Sequence, residues 1–409
     1  MSRILFITTT PDTPWVGSCQ RVRQTIDALL AAGNSVDLLC VHSRQMLSHP
    51  SLTVRYASRL SLFQNLPEGP SFRRGILDII LLVKALLLAG NGGYDLIHGV
   101  NDSGVVAYLV SRIHQIPYII DRVSDYDWNQ RSSLLGGRIR RFFERKALVR
   151  ADAVIGNSAS VISLLSSIGR RSRACVIPDI PALDPDIPEA ELKIAQERYH
   201  STPAPLITCV GSFDKFHGLD IFFNAMPHVL NELPGAKFAV VGGSRNEIVK
   251  LSKALKRAGI LAAVSFPGRL PPVELAALLQ VSDVLVSPRR EGSTAPIKVL
   301  DYLAANRPIV AVDTPANRSI LSPDNAVITP MTPEGLAEGI LRLCHFPGLG
   351  TSLSRKCAST LQRESRTPKA FRQALRHCYD YVILQRKKKG GRRGGGKQPP
   401  AEKKAGGNR

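Results

Sequence analysis

Ser287-Pro288-Arg289-Arg290-Glu291-Gly292-Ser293-Thr294-Ala295-Pro296-Ile297-Lys298-Val299-Leu300-Asp301-Tyr302-Leu303-Ala304-Ala305-Asn306-Arg307-Pro308-Ile309-Val310 reads as four pieces in a row. The end of a buried strand enters a Gly/Ser/Thr/Pro loop. A helix follows, with Lys298 and Asp301 one turn apart, and Arg307-Pro308 stops it before a second buried strand. Loop amides and a fixed cation suit a diphosphate, and a carboxylate one turn further on suits ribose hydroxyls. Asn306 falls where the helix must end in a left-handed residue, so it reads as a cap rather than as a ligand.

The same alternation fills the chain on either side. Strands are predicted at Arg3 to Thr8, Ser35 to Val41, Asp95 to His98, Tyr118 to Asp121, Ala153 to Asn157 and Ala174 to Ile177, with helical periodicity between them, including Arg73 to Ala89 and Arg138 to Val149. Pro181, Pro185 and Pro188 interrupt this rhythm and read as a linker. It then restarts with strands at Leu206 to Val210, Lys237 to Val241, Val264 to Pro267, Val284 to Ser287, Ile309 to Val312 and Ala326 to Ile328. Strands alternating with helices imply parallel sheets with right-handed crossovers. The fold class is therefore α/β, with two Rossmann-like doubly wound domains and a ligand cleft between them. Predicted limits are residues 1–185 and 186–367 for the domains, 368–385 for a closing helix built on Phe371, Leu375, Cys378 and Val382, and 386–409 for a disordered tail.

Composition agrees with this division. At 409 residues and 44% hydrophobic content, the chain exceeds the size at which one core usually divides. Of the +21 net charge, +9 lies in the tail from Arg386 to Arg409, which suits phosphates, but nothing in the body resembles a nucleic-acid reader. Seven scattered cysteines without a Cys-x-x-Cys pair point to a reducing compartment and no structural zinc. The apolar run after Met1 stops at Thr8, too short for a signal-peptide core. The apolar stretch Ile76 to Ala89 carries Asp78 and Lys84 and is not expected to span a membrane.

The second half opens with Val210-Gly211-Ser212-Phe213-Asp214-Lys215-Phe216-His217-Gly218-Leu219-Asp220, a strand, a Gly-bounded loop and a helix start. Glycines let a ligand approach the backbone, and Lys215 and His217 suit phosphate at a helix N-terminus. This loop, the strand end Val241-Gly242-Gly243 and the Glu-Gly…Pro-x-Lys-x-x-Asp-Tyr-Leu-Ala-x-x-x-Pro-Ile-Val-Ala segment together resemble the family 4 retaining glycosyltransferases, which have the GT-B architecture. The similarity covers nearly the whole chain to about Leu384. In that family the first loop carries Arg directly after its first glycine and Lys directly before its second. This chain has Ser212 and His217 there, which shifts part of the phosphate role to Lys215. The resemblance implies a donor site of Gly17, Gly211, Lys215, His217, Gly292, Ser293, Thr294, Lys298 and Asp301. The family's paired carboxylates have seven residues between them, whereas nine separate Glu291 from Asp301.

The resemblance extends to the N-terminal half with more departures. Trp15-Val16-Gly17-Ser18 occupies the usual glycine loop, and Arg21 on the following helix is placed to meet an anionic acceptor. Asp95-Leu96-Ile97-His98 resembles a strand ending in His beside the cleft, although a His closing a strand is as often a satisfied core residue. Ser124-Asp125 aligns where the family has His-Asp near the donor sugar. The implied catalytic set is Asp125, His98 and Glu291, with the first domain on the acceptor side and the second on the donor side.

These readings imply a cytoplasmic, retaining glycosyltransferase that needs no metal or cofactor. It would move a sugar from a nucleotide-diphospho-sugar to a glycan or lipid-linked acceptor, in polysaccharide or glycoconjugate biosynthesis. The mixed basic and apolar segments at Phe72 to Leu77 and Arg138 to Lys146 suit a peripheral position on an anionic membrane surface. Two alternatives remain: a nucleotide-sugar epimerase of the same two-domain form, and a non-catalytic donor-binding subunit of a polysaccharide assembly system.

Overall fold

Two parallel sheets carry the chain in the computed structural model, which describes residues 1–9, 17–41, 49–58, 72–123, 135–169, 173–292 and 294–394. The first sheet contains β1 (Arg3–Ile7), β2 (Ser35–Cys40), β3 (Leu52–Tyr56), β4 (Leu96–Val100), β5 (Tyr118–Arg122), β6 (Ala153–Gly156) and β7 (Arg173–Val176), in the order β3-β2-β1-β4-β5-β6-β7. The second contains β8 (Leu206–Val210), β9 (Lys237–Val241), β10 (Val264–Gly268), β11 (Val284–Ser287), β12 (Ile309–Val312) and β13 (Val327–Thr329), in the order β10-β9-β8-β11-β12-β13. Both orders reverse beside the first strand of the sheet, where a doubly wound fold opens its ligand crevice. The architecture is GT-B-like, two Rossmann-like domains facing a cleft. All twelve predicted strands are present; β3, a half-exposed edge strand, is the one that the sequence reading passed over.

The central strands are buried on both faces because helices cover both sides of each sheet. Along β1, Leu5 and Ile7 enter one apolar layer while Ile4 and Phe6 enter the opposite one, as the two-residue period of a strand requires. The second of these layers also takes Phe371, Leu375, Cys378, Tyr379 and Val382 from the final helix, Pro368–Gly394. The chain therefore finishes the second sheet and returns to brace the first. This helix continues past Leu384 to Gly394, into the segment expected to be disordered; residues 395–409 lie outside the described residues.

One helix differs from its sequence reading. Phe72–Gly92 forms a single helix whose Gly75–Gly92 part is long and apolar enough to cross a membrane by length and composition, Asp78 and Lys84 notwithstanding. Its inner stripe of Leu77, Leu81, Ala85 and Ala89 packs on the first sheet. Ile79, Val83 and Leu87 point outward and are exposed.

Arg21 also departs from expectation. Rather than facing a cleft, its guanidinium is 1% exposed and bonds Asp121 on β5 at 3.1 Å and Asp179 in the linker at 2.7 Å. Its Nη1 donates to the Ile177 carbonyl at 2.9 Å, and Asn157 Nδ2 donates to Asp179 Oδ2 at 2.9 Å. Arg366, just before the final helix, donates to the Asp179 carbonyl at 3.0 Å. Removing one partner of a buried ion pair is strongly destabilising, and this cluster uses its pairing to join helix, sheet, linker and return crossover.

Candidate functional site

The carboxyl ends of β8 and β11 build the site through close backbone approach. After β8, Gly211 begins a loop that tightens into a single 3-10 turn at Lys215–His217 and ends on Gly218 with φ 68°. A β-carbon on Gly218 would stand 1.9 Å from the Pro288 carbonyl oxygen, so only glycine lets this loop rest against the segment leaving β11. Arg290 N donates to the Phe216 carbonyl at 3.0 Å, and the Arg290 guanidinium pairs with Asp220. Tyr302 accepts from Val210 N at 2.9 Å and donates to the Val286 carbonyl at 3.3 Å, tying the ends of β8 and β11 together from beneath.

Over this platform lies a cluster of nitrogen groups. Lys298, in the first turn of the helix Ile297–Ala304, has a buried Nζ with no hydrogen-bond partner, and His217 has a buried Nδ1 in the same condition. Both surround Gly211: a β-carbon there would lie 3.3 Å from Lys298 Nζ and 3.6 Å from His217 Nδ1. Half-buried Arg289 completes the cluster. Its Nε donates to the Glu291 carbonyl at 2.6 Å, and its guanidinium lies 5.5 Å from the centre of the Phe216 ring.

The electrostatics are those of a site awaiting negative charge. Burial, then the charges of Lys298 and Arg289, pull His217 down to about 3, so its imidazole is neutral. Burial, and secondarily Arg289, lower Lys298, and burial lowers Arg289. Burying cations without partners is costly, and an anion bound among them would offset that cost.

The other predicted residues are distributed as follows. Lys215 and Glu291 are exposed, Thr294 is half-buried, and Gly292 adopts φ 117° where a β-carbon would stand 2.8 Å from Arg289 Nη2. Gly17 is the first residue of the helix Gly17–Ala31. Asp125 and Ser293 lie outside the described residues. Asp301 is buried, and its Oδ1 accepts from Ala182 N at 2.6 Å and Leu183 N at 3.0 Å, anchoring the linker to the helix Ile297–Ala304. Burial lifts its carboxyl to about 7 against the lowering effect of those two amides.

His98 is 0% exposed. Its ring stacks on Phe6 with centroids 4.2 Å apart, and Nδ1 meets Tyr379 Oη of the final helix at 2.5 Å. Burial, then Arg21, depress it to about 3, so it too is neutral. Sequence reasoning missed Arg289, Tyr302 and Tyr379. The doubled Arg289-Arg290 at a strand end was a signal for the first, since only one of the two can point outward to Asp220. Among the described residues no group of three or more His, Cys, Asp or Glu is placed to hold a metal ion.

Comparison with known proteins places each half separately. Residues 204–345 match the sequence model of the glycosyl transferases group 1, and residues 16–179 match that of the glycosyl transferase 4-like domain. No curated protein matches the chain in sequence. Among solved structures, the fold is similar to a glycosyltransferase from Rickettsia africae ESF-5, at TM-score 0.73 and 16% identity, covering 94% of this chain and 99% of that one. It is similar to Anabaena Alr3699/HepE in complex with UDP-glucose, at TM-score 0.70 and 15% identity over 93% of this chain and 100% of that one. A UDP-N-acetylglucosamine 2-epimerase is also similar, at TM-score 0.58 and 12% identity over 87% of this chain and 90% of that one.

Proposed function

The chain belongs to the GT-B-fold glycosyltransferase superfamily, related to the group 1 and group 4 glycosyl transferases, and from that premise we propose a retaining transferase acting on a nucleotide-diphospho-sugar. The observation that carries this reading is the buried, unpartnered Lys298 Nζ beside His217 and Gly211. Three nitrogen groups in a dry platform of tight loops make a receptor for a diphosphate, and they hold the negative charge that grows on it as the glycosidic bond to the sugar breaks. Asp301 Oδ1 is occupied by linker amides, which leaves Oδ2 for a ribose hydroxyl. Lys215, Gly292, Ser293 and Thr294 complete the donor side within residues 186–367. Gly17, Asp125 and Glu291 approach the sugar and acceptor. His98 acts from within the core, by fixing the final helix through Tyr379.

The acceptor is a hydroxyl of a glycan or lipid-linked saccharide, held by residues 1–185. Exposed Ile79, Val83 and Leu87 on one helix and Phe142 and Phe143 on another, with Lys146 Nζ 4.3 Å from the Phe142 ring centre, support docking on an anionic inner membrane face. The epimerase reading has the lower fold likeness of those compared.

Calorimetric titration of the purified protein with UDP, ADP, GDP and the matching monophosphates tests the proposal. One diphosphate series binding at least tenfold more tightly than its monophosphate, with the difference lost in Lys298→Ala, is the expected result. No binding of any nucleoside diphosphate to folded protein would overturn it. Release of sugar product from the bound donor distinguishes a transferase from an epimerase or a silent binding subunit.

A further inference from the structure

Where the chain passes from one domain to the other, it changes allegiance within a few residues. Ile177 and Ile180 are buried in the apolar layer between the first sheet and the final helix, whereas Leu183 packs against the second domain's layer around Leu279, Leu300 and Ile309. The hydrogen bonds change sides at the same point. The carbonyls of Ile177, Asp179 and Pro181 accept from Arg21 Nη1 at 2.9 Å, Arg366 Nη1 at 3.0 Å and Gln24 Nε2 at 2.8 Å. The next two amides, Ala182 and Leu183, donate to Asp301 Oδ1 at 2.6 and 3.0 Å, and Gln280 Nε2 donates to the Pro185 carbonyl at 2.5 Å. The handover therefore falls on one peptide unit, its oxygen held by Gln24 of the helix Gly17–Ala31 and its N–H by Asp301 of the helix Ile297–Ala304.

We propose that the Pro181–Ala182 peptide is a latch that holds the two domains in the arrangement seen here, with Gln24 and Asp301 as its two jaws. A peptide unit is a rigid plane whose C=O and N–H point in opposite directions. A free hinge needs soft dihedrals between its anchored sides, and here both anchors grip the same plane. Turning one domain against the other about the linker must pull this plane away from Gln24 or from Asp301, so the motion costs a hydrogen bond.

The anchors on either side place the opening at this unit. Arg21 fixes Ile177 and Asp179 to the first domain, and Gln280 fixes Pro185 to the second. Arg366 ties the return crossover to the linker two residues before the latch, so the two chain crossings are joined there. The gripping helices are the one that begins at Gly17 and the one that carries Lys298, so the latch sets how the two sides of the cleft face each other. Gln24 is thus a positioning residue, acting on the cleft only through the linker.

The test uses the full chain without nucleotide, so its result stands apart from that of the nucleotide titration. Pro178, Pro181, Pro185 and Pro188 carry no N–H, which leaves the linker few amides, and hydrogen exchange at Ala182 and Leu183 is resolved by mass spectrometry with electron-transfer fragmentation. Gln24→Met, close in shape but without a donor, is expected to speed exchange at these two amides about fivefold, as the release of one hydrogen bond allows, with both sheets unaffected. It should also raise the radius of gyration in small-angle X-ray scattering. Gln24→Glu should repeat both changes, which keeps the test open if the Met variant does not fold. Gln280→Met, which frees Pro185 inside the second domain, should leave the scattering unchanged. Exchange within about twofold of wild type in a folded Gln24 variant, acceleration spread through both sheets, faster exchange with unchanged scattering, or a Gln280→Met protein that opens equally would overturn the proposal.

Discussion

The two halves of this molecule bury ionisable side chains at corresponding strand ends and treat the cation among them in opposite ways. In the N-terminal half Arg21 meets Asp121 and Asp179, and His98 meets Tyr379. In the C-terminal half Lys298 Nζ and His217 Nδ1 are enclosed without a hydrogen-bond partner, and of the N-terminal residues just named only His98, at Nε2, has an atom in the same condition. Paired charge belongs to the architecture; the unpaired ammonium is where the proposed diphosphate would bind. The difference is open to direct attack at four points.

The largest effect is expected at the paired end. Arg21→Met leaves Asp121 and Asp179 facing each other without a cation in the core, which costs about 3–5 kcal/mol when one member of a buried ion pair is removed. Urea unfolding followed by circular dichroism measures it. A loss below about 1 kcal/mol would mean that the cluster is not the strut described here.

Lys298→Met should do the reverse. Removing an unpartnered buried ammonium relieves a desolvation cost, so the free protein should be unchanged or about 1 kcal/mol more stable. Nucleoside diphosphate affinity should meanwhile fall by about 10–100-fold, the worth of a charge-assisted contact in a dry site. A variant that is destabilised and still binds would erase the contrast between the halves.

The contrast also shows what was legible in the sequence. Loop glycines and the Lys298 helix could be assembled without coordinates, because strand ends in a doubly wound sheet converge and Gly211, His217 and Lys298 each sit one step beyond such an end. Arg21 was misread because its partners lie in β5 and the linker, and no local pattern announces a contact at that separation. The closing helix was predicted from Phe371, Leu375, Cys378 and Val382, but periodicity cannot say which sheet it returns to. Asp301 was marked for its carboxylate; that it would hold two linker amides follows only from how Ala182 and Leu183 pass over its helix.

A pH titration sharpens the paired side. His98 is held near 3 by burial, below its unfolded value near 6.5, so the unfolded chain binds a proton in this window and the folded chain does not. The stability contributed by neutral His98 is therefore complete above about pH 6.5 and is lost as pH falls toward 3. By pH 5 the loss should be about 2 kcal/mol, following the proton-linkage slope for one group. His98→Gln should remove that share of the acid sensitivity. If the wild-type and variant curves run parallel from pH 7 to 5, the imidazole is not enclosed as described.

Asp301 carries the opposite sign, and its effect on binding is the smallest and most specific. Burial raises its carboxyl to about 7, so between its ordinary value near 4 and about 7 the folded chain holds a proton that the unfolded chain releases. Its contribution therefore favours folding at the acid end of that window and is lost as pH rises through it. Nucleotide binding should respond in the other direction, because a ribose hydroxyl donates better to the ionised Oδ2. If only the ionised form binds, the competent fraction grows about threefold between pH 6.5 and 7.5, and affinity for a nucleoside diphosphate should grow with it. Asp301→Asn should flatten that dependence while keeping an oxygen for the Ala182 and Leu183 amides. Equal slopes in wild type and variant would confine Asp301 to the linker and leave the ribose to another residue.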